Sequence, residues 1–462
     1  MRKIWWNGLL IVLGLLLSFP AFSQQTWERT YGGTGDDEGN SVQQTTGGGY
    51  VVAGYTGSFG NGEQAYLTKT NASGDTLWTR NYGGARNDNA YAVRQTSDGG
   101  YIVVGRTFSF GNNEQVYLIK TNASGDTLWT RTYGGTSGVF GYSIQQTSDG
   151  GYIIVGTFGS FGINPQVYLI KTNASGDTLW TRDYGGANPD YGFSVQQTSD
   201  GGYIVAGYTG FDPDYQVYLI KTNASGDTLW TRTYGGPAWD YGYSVQQTQD
   251  GGYIVAGSTA SFGNNDQVYL IKTNAFGDTL WTRTYGGPLG DFGYSVQQTQ
   301  DTGYIVAGRT TSFGNNDQVY LVKTNAYGDT LWTRTYGGPL GDFGYSVQQT
   351  QDGGYVVAGY TGSFGNGGQV YLIKTDVNGN VGVEVSPSHE SRITSYGVFP
   401  NPFSSFASVP GHSSERFALY DISGRKVGIY KGDRIGFDLS AGIYFLKPEG
   451  KDAKPLRLVK LR

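Results

Sequence analysis

An aspartate opens the same short segment six times along this chain, as Asp37, Asp88, Asp190, Asp240, Asp291 and Asp342; Val139 stands in the seventh place. Carboxylates repeated in this way could converge on an axis and hold a cation through oxygen ligands. They could equally act as Asx turns, each capping nearby backbone N–H groups. No metal is expected; Asp37 and Asp88 are the candidates were one held. Aromatic rings flank the carboxylates at Tyr191, Trp239, Tyr241, Phe292 and Phe343. Rings beside carboxylates suit a sugar, whose apolar faces stack while its hydroxyls form hydrogen bonds. Packing between neighbouring segments is the other use for such rings. A few residues on, paired glutamines recur, as at Gln145-Gln146, and Arg94 replaces the first of one pair. They predict a polar, hydrated channel. The candidate ligand-binding set is therefore Asp190, Tyr191, Trp239, Asp240, Tyr241, Asp291, Phe292, Asp342, Phe343 and Arg94.

Other chemistry is thin. The only histidines are His389 and His412, and there is no cysteine. Thiolate metal sites and thiol nucleophiles are excluded, as are histidine-based sites on the repeats. Asp212 and Asp214 could act as a carboxylate pair on a polysaccharide if their spacing suits, about 5–10 Å. No cofactor motif is present, so no cofactor is expected. The net charge of −5 gives no basic surface for a nucleic acid.

These residues sit on a repeat. Trp27, Trp78, Trp129, Trp180, Trp230, Trp281 and Trp332 are spaced 51, 51, 51, 50, 51 and 51 residues apart, and Tyr-Gly-Gly begins four residues after each. Between them come short runs of Val, Ile, Tyr, Thr and Gln bounded by Gly, Asn and Asp. These read as four strands, a to d, with Asp-Gly and Asn-Ala-Ser-Gly hairpins. Four strands per period of about 50 residues predict propeller blades. The expected fold is all-β: a seven-bladed β-propeller over 26–384, followed by a small β-sandwich. The chain enters on a Trp strand and its last repeat lacks one, so the N-terminal strand is expected to close the last blade. Repetition also accounts for much of the glycine content, 76 of 462 residues.

Comparison of the repeats shows that the a–b and c–d turns scarcely vary. The d–a and b–c loops do, as in Pro237-Ala238-Trp239-Asp240 against Thr34-Gly35-Asp36-Asp37. In a propeller those loops share one face. Variable loops on a rigid scaffold are where binding usually resides.

Both ends read differently. Arg2 and Lys3, an apolar run, and Ala21-Phe22-Ser23 form a secretory signal peptide over 1–23. No transmembrane anchor is expected after its cleavage. A polar linker spans 385–395. Residues 396–462 carry a net charge of +5 against −12 for 24–395. They contain Pro400-Asn401-Pro402-Phe403, Leu419-Tyr420-Asp421, Gly424-Arg425-Lys426-Val427, the run Asp438 to Leu446 that includes Gly442 and Tyr444, and the terminal Lys460-Leu461. In that order and spacing the region resembles the type A C-terminal sorting domain of the type IX secretion system. The repeats look like those of secreted cargo proteins of the same Bacteroidetes-type bacteria. The resemblance implies a Gram-negative host and recognition by the type IX machinery and its sortase. It further implies release outside the cell or attachment to the outer-membrane surface. The functional expectation is a non-catalytic binding or adhesion protein for a glycan or surface protein. The alternatives are a polysaccharide lyase or hydrolase using loop aspartates, and a structural matrix component.

Overall fold

The computed structural model describes residues 25–135, 138–159, 164–263, 265–382, 404–409, 414–449 and 456–461. The expected signal peptide and linker, and Pro400, Asn401 and Pro402, lie outside them. The chain divides into two units, Met1–Glu384 and Val385–Arg462. All regular structure among the described residues is β.

The first unit contains seven four-stranded antiparallel sheets, six of them meanders of consecutive strands. Blade 1 is typical: strands Asp37–Gln44, Tyr50–Thr56, Gln64–Thr70 and Thr76–Tyr82. Blade 7 is assembled from both ends of the repeat region. Its strands a to c are Asp342–Gln349, Tyr355–Thr361 and Gln369–Thr375, and its outermost strand is Trp27–Tyr31. Trp27 pairs with Lys374 and Tyr31 with Val370.

Strands b and c are buried on both faces, so they read as nearly unbroken apolar runs such as Tyr253-Ile254-Val255-Ala256. Each cluster of core residues draws on two adjacent blades; Ile254 and Leu270 of blade 5 pack with Tyr304 and Val306 of blade 6. A blade alone would leave both such faces in water, at about 25 cal/mol for each Å² of apolar area.

Strand d makes the other inter-blade joint. Its terminal tyrosine donates to the glycine carbonyl of the next blade's c–d turn: Tyr82 to Gly125 at 2.6 Å and Tyr285 to Gly328 at 2.7 Å. The seam repeats it, Tyr31 to Gly74 at 2.7 Å. The recurring Trp-x-Arg-x-Tyr of the repeat is thus a blade-to-blade connector.

In the second unit, strands Arg416–Asp421, Lys426–Lys431, Gly442–Pro448 and Leu456–Lys460 form one sheet, with a single bridge between Ala407 and Ile435. The expected sandwich is therefore not seen as two sheets among the described residues. The described residues form one four-stranded sheet, and its core gathers Phe417, Leu419, Leu446 and Leu458. Gly424, at φ +81°, turns the first hairpin. Asp421 accepts the Arg425 N–H and pairs with its guanidinium at 3.1 Å. Tyr444 donates to the Ser440 carbonyl, and the Lys460 ammonium donates to the carbonyls of Ser404 and Ser405. Gly442 opens the third strand.

Candidate functional site

The aspartates do not form an open acidic ring. Each is the first residue of strand a and is buried. Asp37 Oδ2 accepts the Gly33 N–H at 2.8 Å and the Ser58 hydroxyl at 2.6 Å. The same pair of bonds fixes Asp88 with Ser109, Asp240 with Ser261, Asp291 with Ser312 and Asp342 with Ser363. The carboxylate reaches back to the d–a loop and across to the b–c loop, clamping the two together. This differs from a forward Asx turn. It also requires Gly32, whose φ is +142° and where a Cβ would lie 2.2 Å from Asp37 Oδ2. Asp190 has Phe211 where the serine would be; it keeps the Gly186 N–H at 2.9 Å. Among the described residues no cluster of three or more acidic or histidine side chains could hold a metal. A cation site at Asp37 and Asp88 is thus corrected to a loop clamp. Sequence reading missed the clamp because its serine lies 21 residues downstream, in a loop that looked variable.

The flanking rings pack between blades. Tyr191 stacks on Tyr208 at 4.6 Å, and Tyr208 meets Tyr241 of the next blade at 4.8 Å. The Arg309 guanidinium lies over Phe292 at 4.4 Å and over Phe343 at 5.4 Å. Trp239 is different: it is 42% exposed, and its Nε1–H donates to Asp212 Oδ1 at 2.8 Å. That bond commits Asp212 to holding the indole. Five further rings stand out on the same face, from the Ser-Phe-Gly of the b–c loops. Phe59, Phe110, Phe262, Phe313 and Phe364 are 37–44% exposed, each seated on a strand c tyrosine, as Phe262 on Tyr269 at 5.7 Å. Their repetition at one place per blade was the available signal.

Blades 1 and 2 also carry polar groups on this face. Glu38 accepts the Tyr55 hydroxyl at 3.2 Å, and burial pushes its carboxyl up to about 7. Glu63 accepts from the Asn89 amide at 2.9 Å, and Asn89 accepts from Arg106 Nε at 2.8 Å. Arg106 also pairs with Glu114 at 3.5 Å. None of these stood among the sequence candidates.

Strand a lines the axis. Its fourth residue falls at a bulge and forms a collar of rings: Tyr91, Tyr142, Phe193, Tyr243, Tyr294 and Tyr345, with successive centroids 4.9–5.6 Å apart. Asn40 interrupts it in blade 1. Beyond the collar lies a cavity of about 510 Å³ walled by serine, valine and glutamine. Gln43 Oε1 accepts the Gln95 N–H of the next blade at 2.6 Å, and Gln348 closes the ring onto the Gln44 N–H. Arg94 lines this cavity two residues before the a–b turn. Its placement with the variable-face loops is corrected: it sits toward the opposite end of strand a.

With this geometry in view, comparison with known proteins yields the fold alone. No family model and no curated relative matches the chain. A solved chain of the COPII outer coat vertex on membranes aligns at a TM-score of 0.50 and 11% identity, over 87% of this chain and 99% of that one. The Neurospora crassa Pan2 WD40 domain aligns at 0.46 and 9%, over 76% and 96%. A polysaccharide lyase of family PL25, an ulvan lyase, aligns at 0.48 and 11%, over 76% and 96%. The chain is a repeat β-propeller.

Proposed function

We propose that this β-propeller is a non-catalytic binding protein acting outside the cell, with the face of the d–a and b–c loops as its ligand surface. One observation carries the reading. The carboxylates that a polysaccharide-active enzyme would draw on are buried in clamps or, as Asp212, tied to an indole, while Trp239 and the Ser-Phe-Gly rings stand exposed around them. Exposed rings on a rigid rim suit the apolar faces of sugars or a surface protein. Export follows from the likeness of 396–462 to type IX sorting domains, and delivery would run through that machinery and its sortase.

A glycan and surface-protein array probed with the mature chain tests the binding reading. Retention on a ligand class, lost in Trp239→Ala, is expected; no retention on either array overturns it. Removing 396–462 should trap the propeller in the periplasm, and unchanged secretion overturns the export reading. Glu38 favours a second reading, since a carboxyl near 7 can serve as a general acid. Polysaccharide turnover abolished by Glu38→Gln would establish that reading over the first.

A further inference from the structure

Blade 2 breaks the pattern of the channel wall at two places. Elsewhere the fifth residue of strand a is a serine whose hydroxyl accepts an N–H from the next blade, as Ser143 from Val195 at 3.4 Å and Ser194 from Val245 at 3.2 Å. The seventh is a glutamine whose Oε1 accepts a second N–H, as Gln145 from Gln197 at 2.6 Å and Gln196 from Gln247 at 2.5 Å. Blade 2 has Ala92 and Arg94 in these places. Neither can accept a hydrogen bond. The corresponding N–H groups of blade 3, on Ile144 and Gln146, therefore lose the partner that every other junction supplies.

The guanidinium stands in the same gap. One Nη donates to the Val93 carbonyl at 2.7 Å and approaches the Ser41 hydroxyl at 3.4 Å. Among the described residues no acidic side chain lines the cavity, and Arg94 is the one charged side chain in its wall. The six glutamines add donors. A backbone N–H can bond only the oxygen of an amide, which fixes each Oε1 toward the neighbouring blade and leaves each Nε2 to the cavity. An arginine is always charged, and enclosing a charge without a counter-charge is costly. The wall thus offers one positive charge and many donors to a cavity of about 510 Å³, a volume that suits a small ligand.

We propose that the channel is a binding site for a small carboxylate, held by Arg94 with the N–H groups of Ile144 and Gln146 at the junction of blades 2 and 3. A carboxylate matches both the planar fork of the guanidinium and its single charge. The site is distinct from the ring-lined face and does not depend on its function.

The test is titration calorimetry of the mature chain with galacturonate, with galactose as the neutral twin and inorganic phosphate as the tetrahedral rival. Saturable binding of galacturonate alone is expected. Arg94→Gln installs the residue that the other six blades use, so it should fold; with Ala92→Ser it rebuilds the regular wall. Both variants should weaken galacturonate binding at least tenfold and lose the rise in melting temperature that galacturonate gives the parent. Equal binding by parent and variants, equal binding of galactose, preference for phosphate, or no saturable binding overturns the proposal.

Discussion

Lys120 Nζ lies 2.8 Å from Asp98 Oδ2, with the lysine almost wholly buried and the aspartate at the surface of the a–b turn. The pair recurs in blades 3 to 7, from Lys171–Asp149 to Lys374–Asp352. Burial works to raise the Asp98 carboxyl. Hydrogen bonds from Lys120, Thr96 and the Gly100 N–H outweigh it and hold the group at about 2. An unfolded aspartate titrates near ~3.9. The folded value is the lower, so the pair's contribution is complete above the unfolded value and is lost as pH falls toward 2. The melting temperature should drop steeply between about pH 4 and 2, and six-fold replacement of these aspartates by asparagine should flatten that dependence. A parent whose melting temperature is level over that range contradicts the account.

Blade 1 lacks this pair. Gly47 stands where the other blades have aspartate, and Lys69 keeps only the Thr70 carbonyl at 2.8 Å. Burial lowers the Lys69 ammonium, and a Cβ at Gly47 meets nothing within 4 Å. Gly47→Asp should stabilise the propeller by roughly 1 kcal/mol through charge-assisted bonds. Denaturant unfolding of the variant measures the gain, and a loss would show that the turn cannot take the side chain.

The loop clamps should act on stability. Asp240→Asn and Ser261→Ala each remove part of a buried set, and each should cost roughly 1–3 kcal/mol. Combined, they should cost less than the sum, because they share one bond. A double-mutant cycle by chemical denaturation reads this directly; strict additivity would deny the contact.

Thr302 is a β-branched residue at φ +66°, where the other blades carry glycine at about the same turn position. Thr302→Gly should raise stability by about 1 kcal/mol, seen as a higher denaturation midpoint. A lower midpoint would mean that the threonine earns its strained conformation elsewhere.

At the seam, Trp27 is fully buried and its Nε1–H donates to the Ala72 carbonyl at 3.2 Å. Trp27→Ala should cost roughly 3–5 kcal/mol. Trp230→Ala, at a partly exposed internal counterpart, should cost less. Limited proteolysis should open the Trp27 variant first within 26–31, and equal resistance of both variants would contradict this.

The tryptophan spacing made strand order and the pairing of Trp27 with the last blade legible, because a period and its phase are one-dimensional facts. The channel was half legible. The glutamine pairs foretold polar walls, but the bulge between Gly39 and Ser41 changes which residues face the axis. The collar formed by Tyr91 and Tyr142 therefore escaped notice, and Arg94 was assigned to the wrong end. The burial of Asp240 was hidden for another reason: polar type suggests exposure, and it takes the Ser261 hydroxyl together with the Gly236 N–H to keep a carboxylate inside.

The seam strand has a consequence for biosynthesis. Glu28 accepts a hydrogen bond from Tyr371, 343 residues away in sequence. Trp27–Tyr31 is among the first strands made, yet its partner, Gln369–Thr375, is the last of the propeller to be synthesised. Until then the ring stays open with bare strand edges, at risk of pairing wrongly. Closure therefore waits on the last propeller strand: a chain terminated before Gln369 cannot fasten the clasp, and topology itself distinguishes a finished ring from an unfinished one.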